Sequence, residues 1–361
     1  MTRPAQAMLD LAALRHNLGV ARALAPNSRV MAVVKANGYG HGALVVAQQL
    51  APLADALAVA CIEEAVALRE AGIAVPILLL QGVFEAAELP LVAELDLWLS
   101  ITNAQQLAWL EEASLARPLQ CWLKLDTGMH RLGVAPAEAA ALYRRLRSTP
   151  QALPEPVLCT HFAAADDLAS DQTREQIALF EQLTAPLPAP RSAANSAGVL
   201  AWPEAHYDWV RPGYMLYGNS PMAGAHPNAR ALRPVMTLQS AVTGLREVAA
   251  GAVVGYGATW TATRPSRIAT VSVGYGDGYP RHAPSGTPVL VKGYRAALAG
   301  RVSMDMITVD VTDLPTVRLG DPVVLWGEGL SVDEVARHVG TIGYELTTRM
   351  PARAPRIVAT P

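Results

Sequence analysis

The sequence predicts an α/β barrel of the TIM type followed by a C-terminal all-β domain. From Arg29 to about Val210, short apolar runs alternate about eight times with amphipathic stretches, the pattern of strands joined by crossover helices. No Gly-x-Gly-x-x-Gly turn follows the first run. That favours a closed barrel over a dinucleotide-binding sheet, a doubly wound sheet being the alternative. Beyond about Ala225 the chain changes to Val-, Thr- and Gly-rich segments spaced by Gly, Pro and Asp, a signature of β structure.

Taken in order, strands are expected at residues 30–35, 56–60, 77–81, 95–100, 119–125, 157–162, 191–194 and 207–210. Helical periodicity fills the intervals at 62–70, 85–93, 104–111, 136–147 and 171–183. The segment 225–233, with Pro227 and the adjoining Pro234, is the expected hinge, dividing the chain into residues 1–228 and 229–361. In the second part, strands are expected at 238–248, 267–273, 288–291, 306–311 and 322–326. One helix is expected at 331–339, opened by a capping box of Ser331 and Glu334.

Hydrophobic residues make up 51% of the 361 and charged residues 17%, enough apolar surface for a large core. The net charge of −2 gives no electrostatic reason to expect nucleic acid or an anionic membrane as partner. Cys61, Cys121 and Cys159 are odd in number and far apart, which reads as free thiols rather than a disulfide framework or a zinc site. Residues 1–9 carry no signal-peptide pattern, and the apolar run at 43–60 is broken by Gln48, Gln49, Pro52 and Asp55. A cytoplasmic protein without a membrane span is expected.

Chemistry gathers where a barrel would place it, at the C-terminal ends of the strands. Lys35 ends the first expected strand and a glycine-dense loop follows, Ala36-Asn37-Gly38-Tyr39-Gly40-His41-Gly42. A partly desolvated amine loses preference for its charged form, and a neutral amine attacks carbonyls. His161 ends the sixth strand, Arg131 lies after the fifth, and Arg211 follows the eighth. Asn195 and Ser196 follow the seventh, with Ser196 placed as a helix N-cap beside free N–H groups suited to phosphate. Singly these are ordinary strand-end, capping and surface residues; together on one rim they suggest a phosphorylated aldehyde. Pyridoxal 5′-phosphate fits, with its aldehyde for the lysine and its ring as electron sink.

These stretches closely resemble the bacterial alanine racemases. The likeness runs from residues 10–17 through 340–345 and includes 32–42, 124–133, 210–213, 274–281 and 300–305. It implies a barrel plus a β-domain, a homodimer with shared active sites, and interconversion of L- and D-alanine by a two-base mechanism on a pyridoxal-phosphate aldimine. Lys35 would serve one face and Tyr256 of the partner subunit the other. Unaided by the likeness, Tyr256 reads as an ordinary strand aromatic.

The resemblance further implies that Tyr39, Ser196, Tyr344 and the backbone at Gly213 and Tyr214 hold the phosphate. Many family members have isoleucine where this chain has Tyr214. His161 and Arg211 would favour the tyrosine anion, and Arg211 would face the pyridine nitrogen and leave it unprotonated, since a guanidinium does not readily give up a proton. Arg131 would contact the cofactor oxygen and the substrate carboxylate, braced by Lys124 where that lysine is carbamylated. Tyr275 of the partner subunit and the backbone of the partner's Met304, with Asp305, would line the substrate end. Two alternatives share the barrel: a pyridoxal-phosphate decarboxylase, which would need a cysteine acid in the β-domain, and a non-catalytic pyridoxal-phosphate binder, which would lack that domain.

Overall fold

The computed structural model describes residues 3–359. The chain forms two compact units. One joins Leu14–Gly38 to Gly42–Leu232; the other joins the described residues up to Ala13, the tripeptide Tyr39–His41, and the described residues from Arg233 onward. The first strand, β1 (Gln6–Leu9), belongs to the second unit.

The first unit is a closed barrel of parallel strands: β2 (Arg29–Val33), β3 (Ala56–Val59), β4 (Ile77–Leu79), β5 (Leu97–Ile101), β6 (Cys121–Lys124), β7 (Val157–Cys159), β8 (Arg191–Ser192) and β9 (Trp209–Val210). Each pairs with the next, and β9 closes on β2 through Arg29↔Trp209 and Val30↔Val210. All eight staves were expected, but most are shorter than their apolar runs. Val34, Ala193 and Ala194 are buried without strand geometry. Apolar runs report burial, whereas the paired length is set by where the chain leaves the ladder for a loop.

The intervening helices follow the periodicity closely. One spans Ile62–Glu70 and another Gln172–Thr184. The stretch expected at 85–93 divides into a 3₁₀ turn, Ala86–Glu88, and a helix, Leu89–Glu94, with Pro90 in its first turn, where a missing N–H costs nothing.

Tryptophans pack across the barrel interior. The Trp98 ring of β5 lies 5.7 Å from that of Trp209 on β9, and Trp122 of β6 is 6.2 Å from Trp98 and 5.6 Å from Trp209. Staves that are not neighbours contribute, so these rings fill the lumen. Strand side chains alternate, so Lys124, two residues beyond Trp122, and Arg211, two beyond Trp209, share the inward face above this aromatic layer.

The second unit is a sheet in the order β13-β16-β15-β14-β17-β10-β1-β18, with β10 also pairing β13. Its further strands are β10 (Met236–Val248), β11 (Val253–Val254), β12 (Trp260–Thr261), β13 (Ser266–Val271), β14 (Pro288–Val291), β15 (Tyr294–Leu298), β16 (Ile307–Asp310), β17 (Pro322–Trp326) and β18 (Arg356–Val358). β11 and β12 form a separate hairpin. The first half of β10 alternates buried and half-buried residues, the pattern of a strand with one face on the core. β1 runs antiparallel to β10 and parallel to β18. Its partners lie more than two hundred residues downstream, so no local pattern marked it.

The helix Val332–Val339 is present with Ser331 as N-cap, accepting from Asp333 N at 3.1 Å. The expected capping box is not formed, because the Glu334 carboxylate is engaged by Arg295. A second helix, Gly343–Thr348, carries Tyr344 and was not expected. Cys121 and Cys159 are buried free thiols and Cys61 a half-buried one. Among the described residues no helix is long and apolar enough to cross a membrane, and no group of three or more His, Cys, Asp or Glu is arranged to hold a metal ion.

Candidate active site

β2 stops at Val33, so Lys35 does not end the strand but opens the turn beyond it. That turn is left-handed: Ala36, Asn37 and Gly38 have φ of 53°, 55° and 61°. For the two residues that carry a Cβ this conformation costs roughly 1–2 kcal/mol each, and strain of this kind persists only where surrounding bonds enforce it. Gly38 N donates to Val34 O, Gly42 N to Asn37 O (2.9 Å each), and Ala43 N to Asn37 Oδ1 at 2.8 Å. The Glu64 carboxylate accepts from Ala36 N at 2.6 Å and from Ala60 N at 2.8 Å. Burial lowers the pKa of the Lys35 amine, Arg131 lowers it further, and Glu64 opposes both.

Deeper in the barrel, Arg211 is buried, with its guanidinium donating to Ser192 Oγ, to Thr160 O at 2.5 Å and to Ala193 O at 3.2 Å. Burial brings Lys124 down to about 8, assisted by Arg211, Arg131 and Lys35 and opposed by Cys159. His161 is pushed well below its usual pKa, first by burial and then by Arg211, Lys124, Arg131 and Lys35, so it is a neutral imidazole at neutral pH. Burial is the leading cause in each case, since taking a charged form out of water costs more than its neighbours return.

Arg131 is exposed on a tight loop between Lys124 and Val134. Asp126 Oδ1 pins this loop by accepting from Gly128 N at 3.1 Å and His130 N at 3.0 Å, while its other oxygen meets the His130 ring at 3.0 Å. Gly133 is obligatory: at φ +128° its added Cβ would stand 2.7 Å from Asp126 N.

The helix after β8 spans Ser196–Ala201, and its N-cap is Asn195, whose side chain accepts from Gly198 N at 3.0 Å. Ser196 is therefore the first helical residue rather than the cap. Its hydroxyl oxygen accepts from Gly213 N at 2.9 Å and Met215 N at 3.2 Å. With both lone pairs used, the Ser196 proton is left to donate outward. Tyr214 is buried and opens a 3₁₀ turn, Tyr214–Tyr217.

The β unit carries the remaining positions. Tyr39 is buried, which raises its phenol pKa, and its ring lies 6.2 Å from that of the half-buried Tyr344. Tyr256 is not on a strand: it sits on a 3₁₀ turn between β11 and β12, flanked by left-handed Gly255 and Gly257, and is 72% exposed. Tyr275 and Met304 are 40% and 52% exposed on adjoining turns. Tyr275 N donates to Ser303 O at 3.1 Å, and Gly276 N donates to Met304 O at 2.9 Å. Asp277, fully buried, accepts from Gly274 N at 2.9 Å and is gripped by both terminal nitrogens of Arg3, with Arg353 at 3.4 Å. Arg353 also pairs with Asp305.

Two family models cover nearly all of this chain: alanine racemase, N-terminal domain, over residues 9–221, and alanine racemase, C-terminal domain, over 235–358. The chain belongs to the alanine racemase family. The alanine racemase of Chromohalobacter salexigens is 54% identical over 356 residues, covering 99% of this chain and 98% of that protein. The catabolic alanine racemase of Pseudomonas putida is 52% identical, covering 98% of both chains. The crystal structure of the biosynthetic alanine racemase from Pseudomonas aeruginosa gives a TM-score of 0.96 at 53% identity, over 99% of this chain and 100% of that one.

Of the positions that the alanine racemase resemblance singles out, Lys35, Lys124, Arg131, His161, Asn195, Ser196, Arg211, Gly213 and Tyr214 lie in the barrel unit. Tyr39, Tyr256, Tyr275, Met304, Asp305 and Tyr344 lie in the β unit. Sequence reasoning passed over Glu64, Asp126, Asp277, Arg3 and Arg353. Asp126 and Asp277 stand inside recognised motifs, and that was their one signal. No motif or spacing in the sequence singles out Glu64, Arg3 or Arg353.

Proposed function

We propose that this chain is a cytoplasmic alanine racemase that interconverts L- and D-alanine with pyridoxal 5′-phosphate, as a homodimer with shared sites. The supporting observation is the strained, clasped turn that holds Lys35 as a partly desolvated amine beside Arg131. The alanine racemase family is pyridoxal-phosphate dependent, and the barrel residues fit that group. Lys35, Lys124, Arg131 and Arg211 concentrate positive charge, with Glu64 the carboxylate acting on Lys35. A cluster so short of internal counter-charge suits a ligand bearing a phosphate and bound with a substrate carboxylate. The Ser196 hydroxyl, with both lone pairs satisfied, is oriented to donate to phosphate oxygen.

When bound, the cofactor supplies a carbonyl for amines and a ring that accepts the electron pair left by the α-proton. The chain's own residues do the rest. Lys35 Nζ takes or returns the proton on one face, and the phenol of Tyr256 from the partner subunit does so on the other. Arg131 orients the substrate carboxylate. Arg211 keeps its protons, since each carbonyl and hydroxyl around it accepts, and so denies one to the ring nitrogen. His161, held neutral by burial, adds no further cation to this cluster. Tyr275 and Met304 of the partner subunit, with Asp305, bound the small substrate space. Lys124, near 8, holds enough neutral amine to react with carbon dioxide, and its carbamate would brace Arg131.

Optical rotation tests this reading. Pure L-alanine should lose its rotation with the cofactor-loaded enzyme, and no carbon dioxide should be released. Loss of rotation accompanied by carbon dioxide would favour the decarboxylase, because the amine left by alanine is achiral; neither change would favour a non-catalytic binder. Borohydride reduction and peptide mapping should place the pyridoxyl label on Lys35, and a label on another lysine would overturn the assignment.

A further inference from the structure

We infer that Glu64 is a positioning residue for Lys35, its carboxylate clasping the left-handed turn after the lysine to the end of β3. This rests on the reading of Lys35 as the reactive amine.

Glu64 is the third residue of the helix Ile62–Glu70, whose N-cap, Cys61, makes no side-chain cap bond. An acid at this position commonly reaches back to satisfy an amide before the helix, and Glu64 does so at Ala60 N with one oxygen. Capping explains that oxygen only. The other accepts from Ala36 N, 28 residues earlier in the turn beyond β2, at 2.6 Å. Ala36 is the first strained residue of the turn and the immediate neighbour of Lys35. The other bonds of the turn described above, to Val34, Asn37 and Ala43, tie it to its own flanks. Glu64 alone among these ties the turn to β3, beside the point where Val34 N donates to Ala58 O at 2.9 Å. The lysine backbone is thereby held between two staves.

Charge points the same way. The charged and titratable groups acting on Lys35 are Arg131 and Glu64, and Lys35 in turn acts on Lys124 and His161. Glu64 is the one carboxylate in that set. An amine that must both give and take a proton works best with a pKa near the working pH. Without Glu64 the cationic surroundings would push Lys35 further down, leaving a weaker base.

The test uses the cofactor-loaded, full-length enzyme with Glu64→Gln and Glu64→Asp. Gln keeps one acceptor and loses the charge; Asp keeps the charge but is too short to span both amides. Hydrogen exchange of the peptide covering residues 34–38 should accelerate roughly tenfold or more in both variants, matching loss of one charge-assisted hydrogen bond. In Glu64→Gln, kcat should fall roughly tenfold while KM for alanine stays nearly constant. The acid limb of its pH profile should move to lower pH, and in Glu64→Asp that limb should stay put. Wild-type exchange at 34–38 with an unmoved pH profile in Glu64→Gln would overturn the proposal. If Glu64→Gln fails to fold, Glu64→Asp decides it: accelerated exchange with lowered kcat supports the clasp, and wild-type values for both refute it. A pyridoxyl label mapped to another lysine in the wild-type enzyme would instead refute the Lys35 reading, leaving the exchange result at the turn intact.

Discussion

In the barrel, Lys35, Lys124, His161 and Arg211 lie buried or half-buried above a layer of tryptophan rings, and burial pushes each toward its neutral form. In the β unit, Tyr256, Tyr275 and Met304 stand exposed on turns, held from behind by glycines and by the buried Asp277 with its arginines. The first arrangement tunes protonation; the second fixes direction without changing chemistry. Changes in the barrel should therefore register in kcat and pH dependence, and changes behind the β-unit turns in stability and KM.

The largest expected effect is Lys35→Ala. Loss of a proton-transfer group costs roughly 10²–10⁴-fold, and here the covalent anchor goes too, so racemisation measured by optical rotation should fall by at least that factor while the melting temperature changes little. A comparable loss of stability instead would place Lys35 among structural residues.

Next in size is Gly40→Ala in the β unit. Gly40 has φ +81°, and a Cβ there would stand 1.8 Å from Thr347 O. Its carbonyl also accepts twice from Arg356, at 3.0 and 2.8 Å. The substitution should destabilise the protein by about 3 kcal/mol, read as a lowered denaturation midpoint; an unchanged midpoint would contradict the packing described.

Asp277→Asn comes third. It leaves Arg3 and Arg353 facing a neutral amide, and because both arginines are partly exposed, water recovers some of the cost, so about 2 kcal/mol is expected. Looser Tyr275 and Met304 turns should raise KM for alanine more than they lower kcat. A kcat effect alone would break the contrast between the two regions.

Arg211→Lys should cost about 1–3 kcal/mol, since one ammonium cannot serve Ser192, Thr160 and Ala193 together and a buried acceptor is left unmet. Its kinetic effect should appear in the share of turnovers that end in transamination.

The smallest effect concerns Lys124. In buffer free of carbon dioxide its amine should label with a midpoint pH of about 8. With bicarbonate present, labelling should fall as the amine becomes carbamate, with intact mass rising by one carbon dioxide. Labelling at an ordinary lysine midpoint would show that burial does not desolvate it.

The barrel was legible because each stave is locally encoded: an apolar run, then a periodic helix, repeated. The all-β character of the second part was legible for the same reason, and β1 was not, since its partners β10 and β18 are remote in sequence. Lys35, Arg131, His161 and Arg211 could be placed on one rim from spacing alone. Tyr256 could not, because an exposed turn tyrosine and a strand tyrosine look alike in an unaligned sequence; only the resemblance marked it. The sequence pattern places Ser196 at the cap that Asn195 supplies, a one-residue offset typical of helix ends. The clasp of Glu64 on Ala36 and the grip of Arg3 on Asp277 join distant segments, and no periodicity records such pairings.

The central claim is that one reaction uses Lys35 of one subunit and Tyr256 of the other. Inactive Lys35→Ala and inactive Tyr256→Ala proteins should be mixed under conditions where subunit exchange is shown by mass spectrometry, and racemisation of L-alanine followed by optical rotation. The account predicts that activity returns, because each mixed dimer holds one site with both groups intact. Confirmed exchange with no return of activity would contradict it.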